Sequence, residues 1–305
     1  MSILLARIKI LGLWRGLITT LLGYSYSIKR FNLDLSRRLL YFKHNIILNF
    51  ISKLDITSNE LEYKKSIEQH TIWVLWWQGY DDAPPLVKAC INSIYRNKGE
   101  FNVILLSSDN IDKYIEIPYE IKSKVGKGMK YAHLADYIRL KLLATYGGLW
   151  IDSTFLLTSP LPSEIADYSW YTIRSRNEYY YCISNFRWAI NFMYFSKDNL
   201  FVKKLFSLFD SYWMKYDVAI DYFIMDYAIY WLLYNNKLFL EDFAIIPKSN
   251  PECFDGLMNM LNDSYEENKY NKMISKTWAH KLSYRIELKN DPISYYSHLL
   301  NEFQS

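Results

Sequence analysis

Cysteine is scarce in this chain. Its three residues, Cys90, Cys182 and Cys253, lie far apart among 305 and are odd in number. No Cys-x-x-Cys pair exists, which excludes a zinc knuckle or a thioredoxin-type centre and leaves no disulfide framework. The expectation is three thiols in a reducing compartment, two or three of them buried. Ten glycines and eight prolines are too few for a collagen-like or linker-rich architecture. No motif recurs at a period of about 20–50 residues, against a solenoid or propeller. Charge of one sign is lacking too, with 36 basic against 32 acidic residues.

That balance conceals an asymmetry. Residues 1–45 hold eight Lys and Arg against the single acid Asp34, so this segment is +7 and the remainder −3. By charge the body is no nucleic-acid binder, and its basic residues form no RNA-type motif. What the chain has in abundance is aromatic side chains, 18% of its residues, in a composition that is 50% hydrophobic. Such a chain is globular and long enough for one large core with an appendage.

The stretch Ile3 to Tyr24 is rich in Leu and Ile, but Arg7, Lys9 and Arg15 interrupt it. A spanning helix needs roughly 20 mostly apolar residues, and each central charge costs about 2.5–3.5 kcal/mol. No span is expected. A signal peptide would keep its positive charge ahead of the apolar run, whereas Arg15 sits inside it. Leu4, Ile8, Leu11, Trp14, Ile18 and Leu22 recur at helical spacing. This fits a helix at a membrane surface with Lys and Arg toward anionic headgroups, or a helix packed on the body with its basic residues solvated. The domain division that follows is 1–66 as a basic helical segment and 67–305 as the main domain. Thr57, Ser58, Asn59 and Glu60 read as a helix start.

Thr71 to Trp77 and Phe101 to Leu106 read as buried strands, with a helix at Leu86 to Tyr95 between them. Short helical pieces are expected around Ile111 and Ile121. A long helix from Tyr131 to Tyr146 stops at Gly147-Gly148, where a left-handed cap is expected. Leu149 to Asp152 is a short strand. Strands at Ser169–Ile173 and Trp188–Phe195 and helices at Val202–Tyr216 and Tyr222–Tyr234 follow. Alternating strands and helices indicate an α/β layer fold, a Rossmann-like mixed sheet flanked by helices with an N-terminal helical extension.

The chemistry concentrates between Tyr131 and Pro162. Asp136 and Arg139 are three apart, so they share one face of the long helix. A short apolar strand then delivers Asp152 at its carboxyl end, where open α/β sheets bind ligands. A carboxylate there, followed by the hydroxyls of Ser153 and Thr154, suits a hard divalent cation holding a diphosphate. Mn2+ or Mg2+ takes one or two protein carboxylates, with phosphates and water completing the shell. An Arg suits phosphate because its planar fork grips two oxygens at once. Trp73, Trp76 and Trp77 alternate along a strand, Trp73 and Trp77 on one side and Trp76 on the other. Trp76 is either a stacking platform for a base or plain core.

Asp-x-x-Arg followed by Gly-Gly-x-x-x-Asp resembles the glycosyltransferases that carry a DXD-type sugar-binding region (family 32-like). More closely, the chain resembles the bacterial capsular polysaccharide synthesis proteins of that superfamily. Trp73 to Gly79, Ala83 to Ser93, Gly147 to Thr154 and Asp221 to Tyr227 carry the likeness in order, over about residues 70–235. The resemblance implies a GT-A fold and retaining transfer of a sugar from a nucleotide diphosphate sugar to a glycan acceptor. Carried over, Trp76 stacks on the base, Asp136 and Arg139 hold ribose, sugar hydroxyls or phosphates, and Asp152 serves metal and diphosphate. The family pattern departs twice. Thr154 stands where the second acid of a DXD would be, and Ala135 stands where many relatives have Ser.

The resemblance further favours Asp221 as an acid on the substrate side, with Asp226 in reserve, although Asp221 has helix capping as its other reading. His280 would complete the metal shell or is a structural histidine beside Trp278. His133 is expected to hydrogen-bond within its helix. The reading is a metal-dependent glycosyltransferase using Mn2+ or Mg2+. It would be cytoplasmic and peripheral on the inner face of the membrane, where lipid-linked glycan acceptors are found. The alternative is a carbohydrate- or nucleotide-binding scaffold that lost its chemistry with the second acid. A metal-dependent phosphoesterase would need more clustered carboxylates and histidines than residues 131–162 offer.

Overall fold

β-branched and aromatic runs form the centre of the sheet, because such residues fill both faces of a covered parallel strand. A computed structural model describes residues 3–56, 61, 63–67, 70–174, 181–289 and 291–304. The helix start expected at Thr57–Glu60 lies outside them. Strands β1 (Thr71–Leu75) and β2 (Asn102–Leu106) pair in parallel, Thr71 opposite Asn102. On the other side of β1 runs β3 (Gly148–Ile151), also parallel. Strand β4 (Phe155–Leu157) leaves this sheet, β5 (Trp170–Thr172) ends it, and β6 (Phe192–Phe195) lies antiparallel between β3 and β5. The order is β2-β1-β3-β6-β5, and β4 pairs separately with β7 (Ala279–Lys281).

Helices α1 (Ile3–Leu11), α2 (Leu13–Gly23) and α3 (Leu33–Ile51) precede the sheet. Next come α4 (Pro85–Arg96), the short α5 (Tyr119–Lys122) and the long α6 (Tyr131–Tyr146). After the sheet come α7 (Leu200–Lys215), α8 (Ile224–Tyr234) and α9 (Lys237–Ala244), then α10 (Gly256–Met260), α11 (Glu267–Ile274) and α12 (Tyr295–Glu302). One core joins the sheet to α6, α7 and α8 through residues such as Trp73, Ile138, Trp150, Phe195 and Tyr227. A second, around Cys90, Leu156, Leu282 and Tyr295, seats the C-terminal helices. All three cysteines are free and buried.

The expected elements at 71–77 and 188–195 are longer than the strands observed. The chain leaves the ladder after Leu75, so Trp76 and Trp77 no longer alternate across a sheet. Ahead of β6, Thr172 captures Ala189 with its side chain. Its Oγ1 accepts from the Ala189 amide at 2.9 Å and donates to the carbonyl at 3.1 Å, in place of ladder bonds.

The N-terminal segment departs from a single amphipathic helix. Gly12, at φ 83°, breaks it, and α1 and α2 fold against each other so closely that a Cβ on Gly16 would stand 2.6 Å from the Ile8 Cα. The inner face holds Arg7, Thr19 and Thr20, while Trp14, Ile18 and Leu21 point outward. Of the expected apolar stripe, Leu4, Ile8, Leu11 and Leu22 are half-buried and Trp14 and Ile18 are exposed. Arg7 explains the inversion, because its buried guanidinium binds the Ile220 carbonyl and the Asp221 carboxylate of the body. Ile47 and Ile51 of α3 join the main core, so the basic segment is packed on the body.

Candidate active site

Helix α6 and strand β3 meet at Gly147-Gly148, and their chemistry converges on one guanidinium. Arg139 Nη1 donates to Asp136 Oδ1 at 2.8 Å across one helical turn, and Nη2 donates to Asp152 Oδ1 at 2.8 Å beyond β3. Trp150, two residues before Asp152 on the same strand face, donates its indole N–H to that same Oδ1 at 2.8 Å. Its ring also lies 4.9 Å from the guanidinium carbon. Both bonds fall on Oδ1, so Oδ2 is the atom of Asp152 left for a ligand.

These groups line a cleft of about 610 Å³ with Trp76, Trp77, Thr154, Trp188 and Asp226. Trp76 stands edge-on to Tyr284, ring centroids 5.4 Å apart, so its place is the cleft wall, while Trp73 is core and bonds the Gly147 carbonyl. Cys182, Ser184, Phe186, Trp188 and Phe254 form another wall. Phe186, held at φ 56°, stacks on Phe254 at 5.2 Å. Burial pushes the Asp136 carboxyl up to about 6, against the pull of Arg139. Burial pushes Asp226 up to about 7, the indole bond from Trp188 at 2.8 Å opposing and the nearby Asp136 charge adding to the rise.

The cleft does not gather every residue expected there. Asp221 is buried under the N-terminal helices, its Oδ2 2.7 Å from Arg7 and 2.8 Å from Lys43, and it does not line the cleft. Burial alone would raise its pKa, but Lys43 and Arg7 outweigh that and hold it below the usual range. The acid of this segment that lines the cleft is Asp226, five residues on. His280 is buried on β7 opposite Leu156 and outside the cleft lining. Strand alternation turns its neighbour Lys281 into the cleft instead, where Nζ donates to Thr154 Oγ1 at 2.6 Å. The His133 ring makes no hydrogen bond within its helix and packs against Trp213 and Tyr222.

No motif in the sequence marks Lys281, although the period of two in a short strand separates it from His280. This bears on the metal. Thr154 already holds an ammonium, Asp136 and Asp226 are engaged by Arg139 and Trp188, and His280 is elsewhere. Asp136, Asp152 and Asp226 each have one oxygen bonded and one left, but the Lys281 ammonium stands where the second acid of the motif would be, and no group of three His, Cys, Asp or Glu converges among the described residues. This donor set does not fit a resident divalent ion.

Two curated relatives match in part. O-glycosyltransferase braB of Annulohypoxylon truncatum is 33% identical over 92 residues, 27% of this chain and 22% of the relative. O-glycosyltransferase PaGT of Phomopsis amygdali is 30% identical over 119 residues, 33% of this chain and 29% of the relative. The matched stretch is thus under a third of either relative's length. Among solved structures, the apo form of the bifunctional glycosyltransferase WbbM is similar over 77% of this chain and 49% of its own. There the TM-score is 0.41 and the identity 12%. The model of the capsular polysaccharide synthesis protein family matches residues 28–299, from just before α3 into α12, and the chain belongs to that family.

Proposed function

We propose that this protein is a retaining glycosyltransferase of the GT-A type. It moves a sugar from a nucleotide diphosphate donor to a glycan acceptor in bacterial capsular or surface polysaccharide synthesis. The observation that carries the reading is Arg139 joining Asp136 and Asp152 on the wall of a cleft flanked by Trp76. Trp76 is the platform for the base, where stacking is worth about 1–3 kcal/mol. Asp136 and Asp152 accept hydroxyls of the ribose and sugar, and Arg139 fixes both carboxylates in position.

In the transfer, the bond between the anomeric carbon and the diphosphate oxygen breaks, and both electrons leave with the diphosphate. The acceptor oxygen bonds the anomeric carbon on the face just vacated, which retains configuration, and its proton passes to the departing phosphate. Positive charge grows on the sugar and negative charge on the diphosphate, so fixed groups aimed at both lower the barrier. Asp152 faces the first. The acceptor is read as lipid-linked and the enzyme as peripheral on the inner membrane face, because α1, α2 and the start of α3 present apolar and basic side chains together.

Calorimetric titration of nucleoside diphosphates and nucleotide sugars into wild type and Asp152→Asn tests the reading. One nucleotide sugar is expected to bind, and the substitution to weaken it roughly tenfold or more. Binding without any transfer or donor hydrolysis would leave the scaffold alternative. No binding by any member of the panel would refute both.

A further inference from the structure

The transferase reading requires a positive charge at the diphosphate, and the donor set of the cleft is short of metal ligands. The position of the missing second acid is not vacant. Lys281 Nζ sits on the Thr154 hydroxyl at 2.6 Å and reaches the Leu282 carbonyl at 3.3 Å. An ammonium has three N–H groups, so one remains to be given to a ligand. The backbone fixes this placement. Phe155 is paired with Lys281 across β4 and β7, and the Leu282 amide continues the contact to the Thr154 carbonyl at 2.8 Å.

The other cations of the cleft are placed differently. Both terminal nitrogens of Arg139 already hold carboxylates. Arg285 is exposed at the rim, beyond Tyr284, which meets Trp76. Residues 281–285 therefore run from Thr154 to the tryptophan proposed for the base, so a nucleotide stacked on Trp76 lays its diphosphate toward Lys281. A divalent ion added beside Thr154 would be repelled by this ammonium.

We propose that Lys281 does the work of the divalent ion, its ammonium seated on Thr154 binding the donor's diphosphate and taking up the charge of the departing nucleoside diphosphate. The inference rests on the transferase reading and deepens it. When the sugar–oxygen bond breaks, the electron pair stays on the diphosphate, and Lys281 answers that charge by a charge-assisted hydrogen bond without giving up its proton.

Calorimetry with uridine, guanosine, cytidine and adenosine diphosphates, in EDTA or in manganese, separates the possibilities. For whichever nucleotide binds, affinity is expected to be equal in the two buffers. Lys281→Met, which keeps the length of a half-buried side chain, is expected to weaken it roughly tenfold to a hundredfold, and Lys281→Arg to restore most of it. The double variant Thr154→Asp with Lys281→Ser, which rebuilds a second acid, is expected to bind only in manganese. Wild-type binding that needs manganese, or that Lys281→Met leaves unchanged, overturns the proposal while the transferase reading stands. If no nucleotide binds in either buffer, the donor reading fails and the proposal falls with it.

Discussion

Asp226 and Asp221 are five residues apart, both almost fully buried, and their partners send them in opposite directions. Asp221 meets Lys43 and Arg7 and stays ionised, whereas Asp226 has an indole N–H as its partner and rises to about 7. The folded state thus holds a proton on Asp226 that the unfolded chain, near 3.8, gives up. Between those values the native protein binds more protons, so this carboxyl lowers stability progressively as pH rises from about 4 to 7. Asp226→Asn keeps an oxygen for Trp188 and removes the penalty. It is expected to raise stability by about 1–3 kcal/mol at pH 8, with the gain vanishing near pH 4. Urea unfolding of both proteins at the two pH values checks this, and a constant difference would refute it. The sequence made Asp136, Arg139 and Asp152 legible because one helical turn and one strand end bring them together. Asp221 carried no such signal, since Arg7 and Lys43 reach it from far along the chain.

Helix α6 has the bounds expected from its pattern, Tyr131 to Tyr146, because the Gly pair marks its end unambiguously. The pair does more than stop a helix. Gly147 takes φ 72° and ψ −155°, outside the left-handed helical region expected of a cap. Gly148, at φ 92°, lets β3 approach β1 so closely that a Cβ would stand 2.5 Å from the Thr71 carbonyl oxygen. Backbone cannot yield there as a side chain would. Gly148→Ala is expected to cost about 3 kcal/mol or more and to misplace Asp152, lowering nucleotide affinity along with the melting temperature. An alanine variant with wild-type melting and binding would refute this. Strands β5 and β6 were legible as apolar runs but not in their bounds. Ala189 is held by the Thr172 side chain instead of a ladder, which no hydropathy pattern records.

At the scale of the whole molecule, the N-terminal segment is turned inside out. Half of the large apolar side chains that the described residues expose lie within residues 3–42, including Trp14 at 74% and Phe31 at 90%. Beside them stand exposed Arg15, Lys29, Arg30 and Arg38, with Asp34 the only acid. The sequence showed both the apolar residues and the charge. It could not show which face would turn inward, because that is decided by Arg7 binding Asp221 and by the close crossing at Gly16. To bury its apolar face, the hairpin would have to withdraw Arg7 from that ion pair, leaving Asp221 with Lys43 alone in the core. Helices α1 and α2 are about 14 and 16 Å long, each near half the thickness of a hydrocarbon core, and no helix among the described residues is long and apolar enough to cross a membrane. Such an element suits the headgroup boundary, its rings in the interface and its cations at anionic lipid. Wild type is expected to float with phosphatidylglycerol-containing vesicles, less with pure phosphatidylcholine, and less as salt rises. Trp14→Glu with Phe31→Glu changes two exposed side chains, so folding and nucleotide affinity are expected to hold while vesicle partition drops roughly tenfold or more. Flotation unaffected by the double variant would refute the membrane assignment. So would a wild-type protein that ignores vesicles and sediments as a dimer, the apolar face then belonging to a second copy of the chain.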